Sequence, residues 1–187
     1  KLNKRLLAAA ARLQKRYVAT KQVLVVGDSH ARALRHWQLL RCLPRVHFEL
    51  AVVTGATASG LANPKSKTQA YQRFQEAVAA NAHDQIIVQL GEVDTGFVIW
   101  YRAKKYDACV DEMLDQAVAR YGDFLSGIAA PERVIVVSAP LPTIQDGHQW
   151  GKVADLRKEI TASQKARTEL TLRFNERVSA LCAEKGI

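Results

Sequence analysis

Ser29 is the residue of this sequence best placed to do chemistry. It follows the apolar run of residues 23–26 after Gly27 and Asp28, and residues 31–43 after it have helical spacing. A serine at such a junction exposes its hydroxyl at a sheet edge, next to unpaired backbone amides that can stabilise a developing oxyanion. Asp and Ser are also favoured helix N-caps, so a structural role is the alternative. The pattern favours Ser29 as a nucleophile.

Three further polar or glycine-rich segments also follow apolar runs. They are residues 54–60, 91–96 and 140–150. In a parallel sheet the carboxyl ends of all strands lie at one edge, and ligands of open α/β sheets bind beyond that edge. We therefore predict that these segments form one site around Ser29.

The elements that must position this site alternate along the chain. Apolar, partly β-branched runs at 23–26, 46–53, 86–90 and 134–137 are predicted strands. Helical spacing predicts helices at 31–43, 68–80, 106–128 and 154–184. This order predicts an α/β protein with a doubly wound parallel sheet in three α/β/α layers. Its 187 residues fit one domain.

The positive charge is concentrated at the N-terminus. The net charge is +9, and residues 1–50 hold 11 Lys and Arg against 2 Asp and Glu. Residues 1–20 have the spacing of a basic amphipathic helix, which either attracts an anionic partner or presents a solvated face. The chain has no P-loop lysine or GxGxxG motif, so we predict no nucleotide cofactor and find no strong nucleic-acid signal.

The remaining composition indicates an ordinary globular chain. No apolar stretch is long enough for a transmembrane segment. Cys42, Cys109 and Cys182 form no metal-binding cluster, so we predict no metal and three free, mostly buried thiols. Free thiols favour a reducing compartment, and we expect a cytoplasmic location.

The segment Gly27-Asp28-Ser29-His30 resembles the first conserved block of the SGNH (GDSL-like) hydrolases, in its GDSH form. Gly55 or Gly60 corresponds to the family's oxyanion-hole glycine, and residues 91–94 to its GxND block. The resemblance implies a flavodoxin-like sheet of about five strands. It also implies Ser29 as nucleophile, the amides of Ser29 and Gly55 as oxyanion donors, and chemistry on esters, often acetyl groups on carbohydrates.

The sequence departs from the family at two places. Val93 replaces the oxyanion-binding asparagine, and no DxxH pair, the source of the family's general base, occurs in the 187 residues. We expect the pair to follow a fifth strand beyond Ile187, because Gly186 is a good helix-ending glycine and the predicted sheet would otherwise leave an open edge. His148, with Asp146 beside it in sequence, is the fallback base.

Five residues near the predicted strand ends are expected to contact the substrate: Asp28, Gly91, Glu92, Asp94 and Trp100. Glu92 and Asp94 have the alternative of orienting a loop, and Trp100 that of core packing. The leading hypothesis is serine-dependent ester hydrolysis or acyl transfer on a glycan or small-molecule ester. The alternatives are a glycan-binding module of the same fold that has lost catalysis, and a basic flavodoxin-like domain that binds polyanions.

Overall fold

The computed structural model describes residues 20–36, 42–63, 65–80, 82–147 and 161–187. Four strands form one sheet: β1 (Lys21–Gly27), β2 (Val46–Val52), β3 (Gln85–Gln89) and β4 (Val134–Val136). All neighbouring strands are parallel, and their order is β2-β1-β3-β4. The predicted α/β class with a flavodoxin-like, doubly wound parallel sheet is therefore confirmed. The basic segment 1–19 lies outside the described residues.

The helices match the prediction less closely than the strands. The longer ones are α1 (Ala70–Ala80), α2 (Ile99–Tyr106), α3 (Val110–Ile128) and α4 (Gln164–Lys185). A π-helical turn, Asp94–Val98, runs directly into α2, and short 3₁₀ turns occupy Ala58–Gly60 and Pro131–Arg133. Gly186 ends α4 in the left-handed conformation, as predicted.

Two helix predictions are wrong in part. The predicted helix 31–43 begins with a 3₁₀ helix at Ser29–Arg35, which ends where His36 becomes extended, and residues 37–41 lie outside the described residues. The predicted helix 106–128 begins later, because Asp107 adopts a left-handed conformation that ends α2 before α3 starts at Val110. Residues 91–96, predicted as a loop, instead include the start of the π-helical turn.

Both faces of the sheet are covered, which explains the unbroken apolar run of β1. Leu24 and Val26 belong to the larger core, with residues from α1, α3 and α4. Val23 and Val25 point to the other face, where Ala31 of the 3₁₀ helix covers them. Alternate residues of one strand are thus buried on opposite sides, as a three-layer arrangement requires.

The outer edge of β4 borders a groove of about 440 Å³ between that strand and α4. Its walls include residues 134–139, Val178, Cys182 and Ile187. Within the described residues β4 pairs with β3 alone, so the open edge expected from the sequence is present. The fifth strand expected beyond Ile187 stays a prediction.

None of the helices in the described ranges is both long and apolar enough to span a bilayer. All three cysteines are free, but Cys42 and Cys109 are exposed and Cys182 is buried. The expectation of mostly buried thiols is therefore wrong, and the cytoplasmic location stays a prediction.

Candidate active site

The strand register brings three of the predicted site segments to one edge of the sheet. Gly27, the last residue of β1, pairs with Val52 of β2 and Gln89 of β3. The Val53 N–H donates to the Gly27 carbonyl at 2.9 Å, just past the last paired residues. The residues that follow β1, β2 and β3 therefore emerge side by side.

Ser29 is exposed at this edge as the first residue of the 3₁₀ helix. The cap of that helix is Asp28, whose Oδ1 accepts the His30 N–H at 2.8 Å. No hydrogen bond engages the Ser29 hydroxyl within the part of the chain that the structure describes. Asp28 thus fills the structural role that was the alternative for Ser29, and leaves the serine oxygen open to a ligand.

His30 lies between two buried carboxylates. Its Nδ1 is 3.0 Å from Asp28 Oδ1 and 3.8 Å from Glu92 Oε2, while 42% of the His30 side chain is exposed. Asp28 and Glu92 are buried, and the second oxygen of Asp28 has no hydrogen-bond partner in the described structure. Asp28 and Glu92, predicted as substrate contacts, are therefore brought together on His30, the residue after Ser29, and substrate contact by either stays a prediction. Carboxylates at Nδ1 favour the tautomer that carries its proton there.

Gly55 lies in a tight turn directly after β2. The Ala56 N–H donates to the Val53 carbonyl at 3.0 Å, and Gly55 has a φ of +77° that favours glycine. Gly55 is exposed, and an added Cβ would meet no atom there. Its residue type is thus explained by backbone conformation, and its amide as an oxyanion donor stays a prediction. Gly60, the other candidate, closes the Ala58–Gly60 turn.

Asp94 is fully buried and binds the same loop. Its carboxylate accepts the Ala58 N–H at 2.7 Å and the Ser59 N–H at 3.0 Å. Burial raises the pKa of Asp94 above its ordinary value of 3.8, while hydrogen bonds from Ser59 and Ala58 and the charge of Arg102 oppose the shift. Of the two roles considered for Asp94, the contacts match the orientation of a loop.

We expect Asp94→Ala to lower the free energy of unfolding by about 2–4 kcal/mol, because two buried backbone N–H groups lose their acceptor.

The raised pKa of Asp94 means that the native state binds the Asp94 proton more tightly than the unfolded state. The contribution of Asp94 to the free energy of unfolding is therefore greatest at low pH. It declines as the pH rises from the ordinary pKa of 3.8 through the raised pKa of the folded state. Urea unfolding across that window should show this component in the wild type and not in the variant. The exposed Asp123→Ala is the control, and equal losses in both variants would contradict the assignment.

Gly91 and Trp100 are both engaged in packing. Gly91 has a φ of +121°, and a Cβ there would lie 2.3 Å from Cε1 of Phe174 on α4. The Trp100 indole N–H donates to the Thr95 carbonyl at 2.7 Å, and Thr95 Oγ1 is 2.7 Å from Thr171 Oγ1 of α4. These contacts tie the β3 end to α4, and substrate contact by either residue stays a prediction.

The residues after β4 are held by α4. The Asn175 side chain both accepts the Ala139 N–H at 2.8 Å and donates to the Ala139 carbonyl at 3.0 Å. Asp146 accepts the Gln164 N–H at 2.5 Å and lies 3.3 Å from the Arg167 guanidinium. Asp146 is thus engaged at the start of α4. The fallback base His148 lies outside the described residues.

Sequence reasoning missed Asn175, Thr95 and Thr171. Each lies in or next to a helix and forms a hydrogen bond with a residue distant in sequence. Asn175 and Ala139, for example, are 36 residues apart. Such polar residues resemble surface positions, and no local pattern distinguishes them.

Comparison with solved structures identifies the fold. The chain is similar to a proposed SGNH hydrolase from Slackia heliotrinireducens, with 19% identity, a TM-score of 0.50, and coverage of 89% of this chain and 76% of that one. It also matches LAE5, an alpha/beta hydrolase enzyme from the metagenome of Lake Arreo, Spain, at 17% identity and a TM-score of 0.37, over 87% and 76% of the two chains. That second score is too low to bear on the fold. No protein-family model and no curated protein matches the sequence. The chain has an SGNH hydrolase-like fold, which agrees with the resemblance of its GDSH segment.

Proposed function

We propose that this chain carries a serine-dependent esterase or acyltransferase site, with Ser29 as its nucleophile and a carbohydrate or other small ester as its substrate. The observation that carries the proposal is the exposed Ser29 at the end of β1, whose neighbour Asp28 already caps the 3₁₀ helix. The SGNH hydrolase-like fold supports the same reading. The fold by itself does not specify a reaction.

The reaction proceeds through an acyl-enzyme. Ser29 Oγ loses its proton to a base and forms a bond to the acyl carbonyl carbon, and the carbonyl oxygen takes up the negative charge. The protonated base then gives this proton to the leaving alkoxide as the C–O ester bond breaks, so the alcohol is released. Water or a sugar hydroxyl attacks the acyl-enzyme in the second half and releases Ser29.

The backbone amides of Ser29 and Gly55 are our candidates for the oxyanion donors. Val93 has no polar side-chain atom, so the contribution of the family's asparagine is absent at that position. Losing one such donor costs about 3–4 kcal/mol of transition-state stabilisation, which slows the reaction without abolishing it.

Two histidines are candidates for the general base that takes the Ser29 proton. His30 has a carboxylate at Nδ1, which favours the tautomer whose Nε2 can accept a proton. His148 is the second candidate within the sequence. Separate His30→Ala and His148→Ala variants distinguish the two.

A fluorophosphonate probe tests the nucleophile, because it forms a stable bond with activated serines. We expect labelling of the wild-type protein at Ser29, located by peptide mass spectrometry, and none in Ser29→Ala. Equal labelling of both proteins, or of neither, would contradict the proposed chemistry.

Val93 favours one alternative, a glycan-binding module that has lost catalysis. Such a module would bind saccharides in the same site without turning over small acetyl esters. Measurable saccharide binding together with absent fluorophosphonate labelling would favour this alternative over the enzyme.

A further inference from the structure

A second concave surface lies beside the loop that follows β2. It is a groove of about 580 Å³ between residues 62–63 and the helices α2 and α3. Asn63, Arg102, Tyr106, Gln116 and Arg120 are among its walls. We call it the arginine groove. Neither Ser29 nor Gly55 lines it.

The two arginines of the arginine groove form no direct ion pair with an acid in the described residues. Arg102 and Arg120 are both half-buried, and no acidic side chain lines the groove. Neither guanidinium has a carboxylate within 4.0 Å in the described part of the chain. Asp94 attracts Arg102 electrostatically, but both Asp94 oxygens are occupied by backbone N–H groups. Partly desolvated arginines with no carboxylate in direct contact are suited to bind an anion.

Arg120 also links the groove to the loop of the proposed active site. Its Nη1 donates to the Ser59 carbonyl at 2.9 Å, while the N–H of Ser59 is bound by Asp94. One arginine edge is therefore used to hold the Ala58–Gly60 turn. The other donors of the planar guanidinium remain for a ligand. The groove thus adjoins the loop that contains Gly55.

The groove continues into a second depression of about 610 Å³, because both are lined by Ala62, Asn63 and Arg120. The second part adds the amides of Gln69 and Gln72, the exposed ring of Tyr71, and one acid, Asp123. Tyr106 is exposed in the first part, with Lys105 Nζ at 5.4 Å from its ring centroid. Exposed aromatic rings and side-chain amides are groups that contact sugar rings and hydroxyls.

From these observations we propose that the arginine groove binds a carboxylate-bearing oligosaccharide, with Arg102 and Arg120 contacting the carboxylates. The inference rests on the proposed function, because the saccharide bound in the arginine groove would be the carbohydrate that carries the ester attacked by Ser29. A linear acidic saccharide fits the combination of two cationic side chains, several amides and two exposed tyrosines along one elongated surface.

Isothermal titration calorimetry at low salt with tetragalacturonate tests this proposal. Arg102→Gln should weaken binding about tenfold or more, because it removes charge-assisted hydrogen bonds. Arg102→Lys should have an intermediate effect, since it keeps the charge and loses the planar donor pair. Lys165→Gln is the matched control, because it removes the same charge from an exposed residue of α4 outside the groove. Unchanged affinity in both Arg102 variants would overturn the proposal.

Two further ligands separate the chemistry of the anion from that of the sugar. Neutral cellotetraose should bind at least about tenfold more weakly than tetragalacturonate, and equal affinity would overturn the anionic role of the arginines. Inorganic phosphate should also bind more weakly. Phosphate affinity equal to that of tetragalacturonate would overturn the assignment to a saccharide.

The same titration with Ser29→Ala separates this inference from the proposed function. Ser29 does not line the groove, so the variant should bind tetragalacturonate as the wild type does. A wild-type protein that binds tetragalacturonate but is not labelled by the fluorophosphonate would reject the nucleophile and retain the groove. Labelling at Ser29 without tetragalacturonate binding would retain the nucleophile and reject the groove.

Discussion

Ser29→Ala is expected to lower kcat/KM for a small acetyl ester by about a thousandfold or more, since removal of a nucleophile leaves only binding and oxyanion stabilisation. The same substitution should leave the melting temperature nearly unchanged. Ser29 is exposed, and the 3₁₀ helix keeps its cap because Asp28 accepts the His30 N–H. A large loss of rate with unchanged stability would separate a chemical role from a structural one.

The matched control for this prediction is Ser179→Ala. Ser179 is an exposed serine of α4, distant in sequence from the residues at the carboxyl end of β1. Steady-state kinetics and thermal unfolding of the three proteins provide both measurements. A Ser29→Ala protein that hydrolyses the ester at the wild-type rate would exclude Ser29 as the nucleophile.

Gly91→Ala should lower the free energy of unfolding by about 3–5 kcal/mol. Two costs combine, because alanine at a φ of +121° is strained and its Cβ would lie 2.3 Å from Cε1 and 2.8 Å from Cζ of Phe174. Phe174 is itself buried and stacks on Tyr121, so it has little room to move. The free energy of unfolding from urea titration measures the effect.

Gly127→Ala is the control for the methyl group itself. Gly127 lies near the end of α3, and an added Cβ there meets no atom within 4 Å. Alanine is favoured over glycine in helices, so this variant should be more stable than the wild type by up to about 1 kcal/mol. A loss at Gly127 as large as that at Gly91 would show that the clash with Phe174 is not the cause.

Much of the fold is predictable because its signals are local. Each of the four strands is rich in apolar residues and is followed closely by a turn or a polar residue, and all four strand predictions agree with the structure to within two residues at each end. The helix boundaries are less predictable. Asp107 separates α2 from α3 by adopting a left-handed φ of 50°, and nothing in the surrounding spacing indicates this break.

The candidate site is predictable to the extent that it depends on strand order. Ser29, Gly55 and Gly91 each follow a predicted strand, and parallel pairing places the ends of those strands at one edge. The side-chain contacts around these residues cannot be predicted from strand order. The contact of Glu92 with His30 and the engagement of Asp94 with residues 58 and 59 depend on how two neighbouring loops pack.

The amino-acid sequence by itself determined the alternation of strands and helices, and with it the position of Ser29 at the end of a buried strand. Hydrophobic periodicity and turn residues act over a few positions, so they can be recognised in one stretch of chain. Only the tertiary structure decided that Glu92 contacts His30, that Asp94 binds a backbone loop and that Gly91 accommodates Phe174. Those roles depend on which atoms of distant segments come within hydrogen-bond or van der Waals distance, and residue type alone does not specify that.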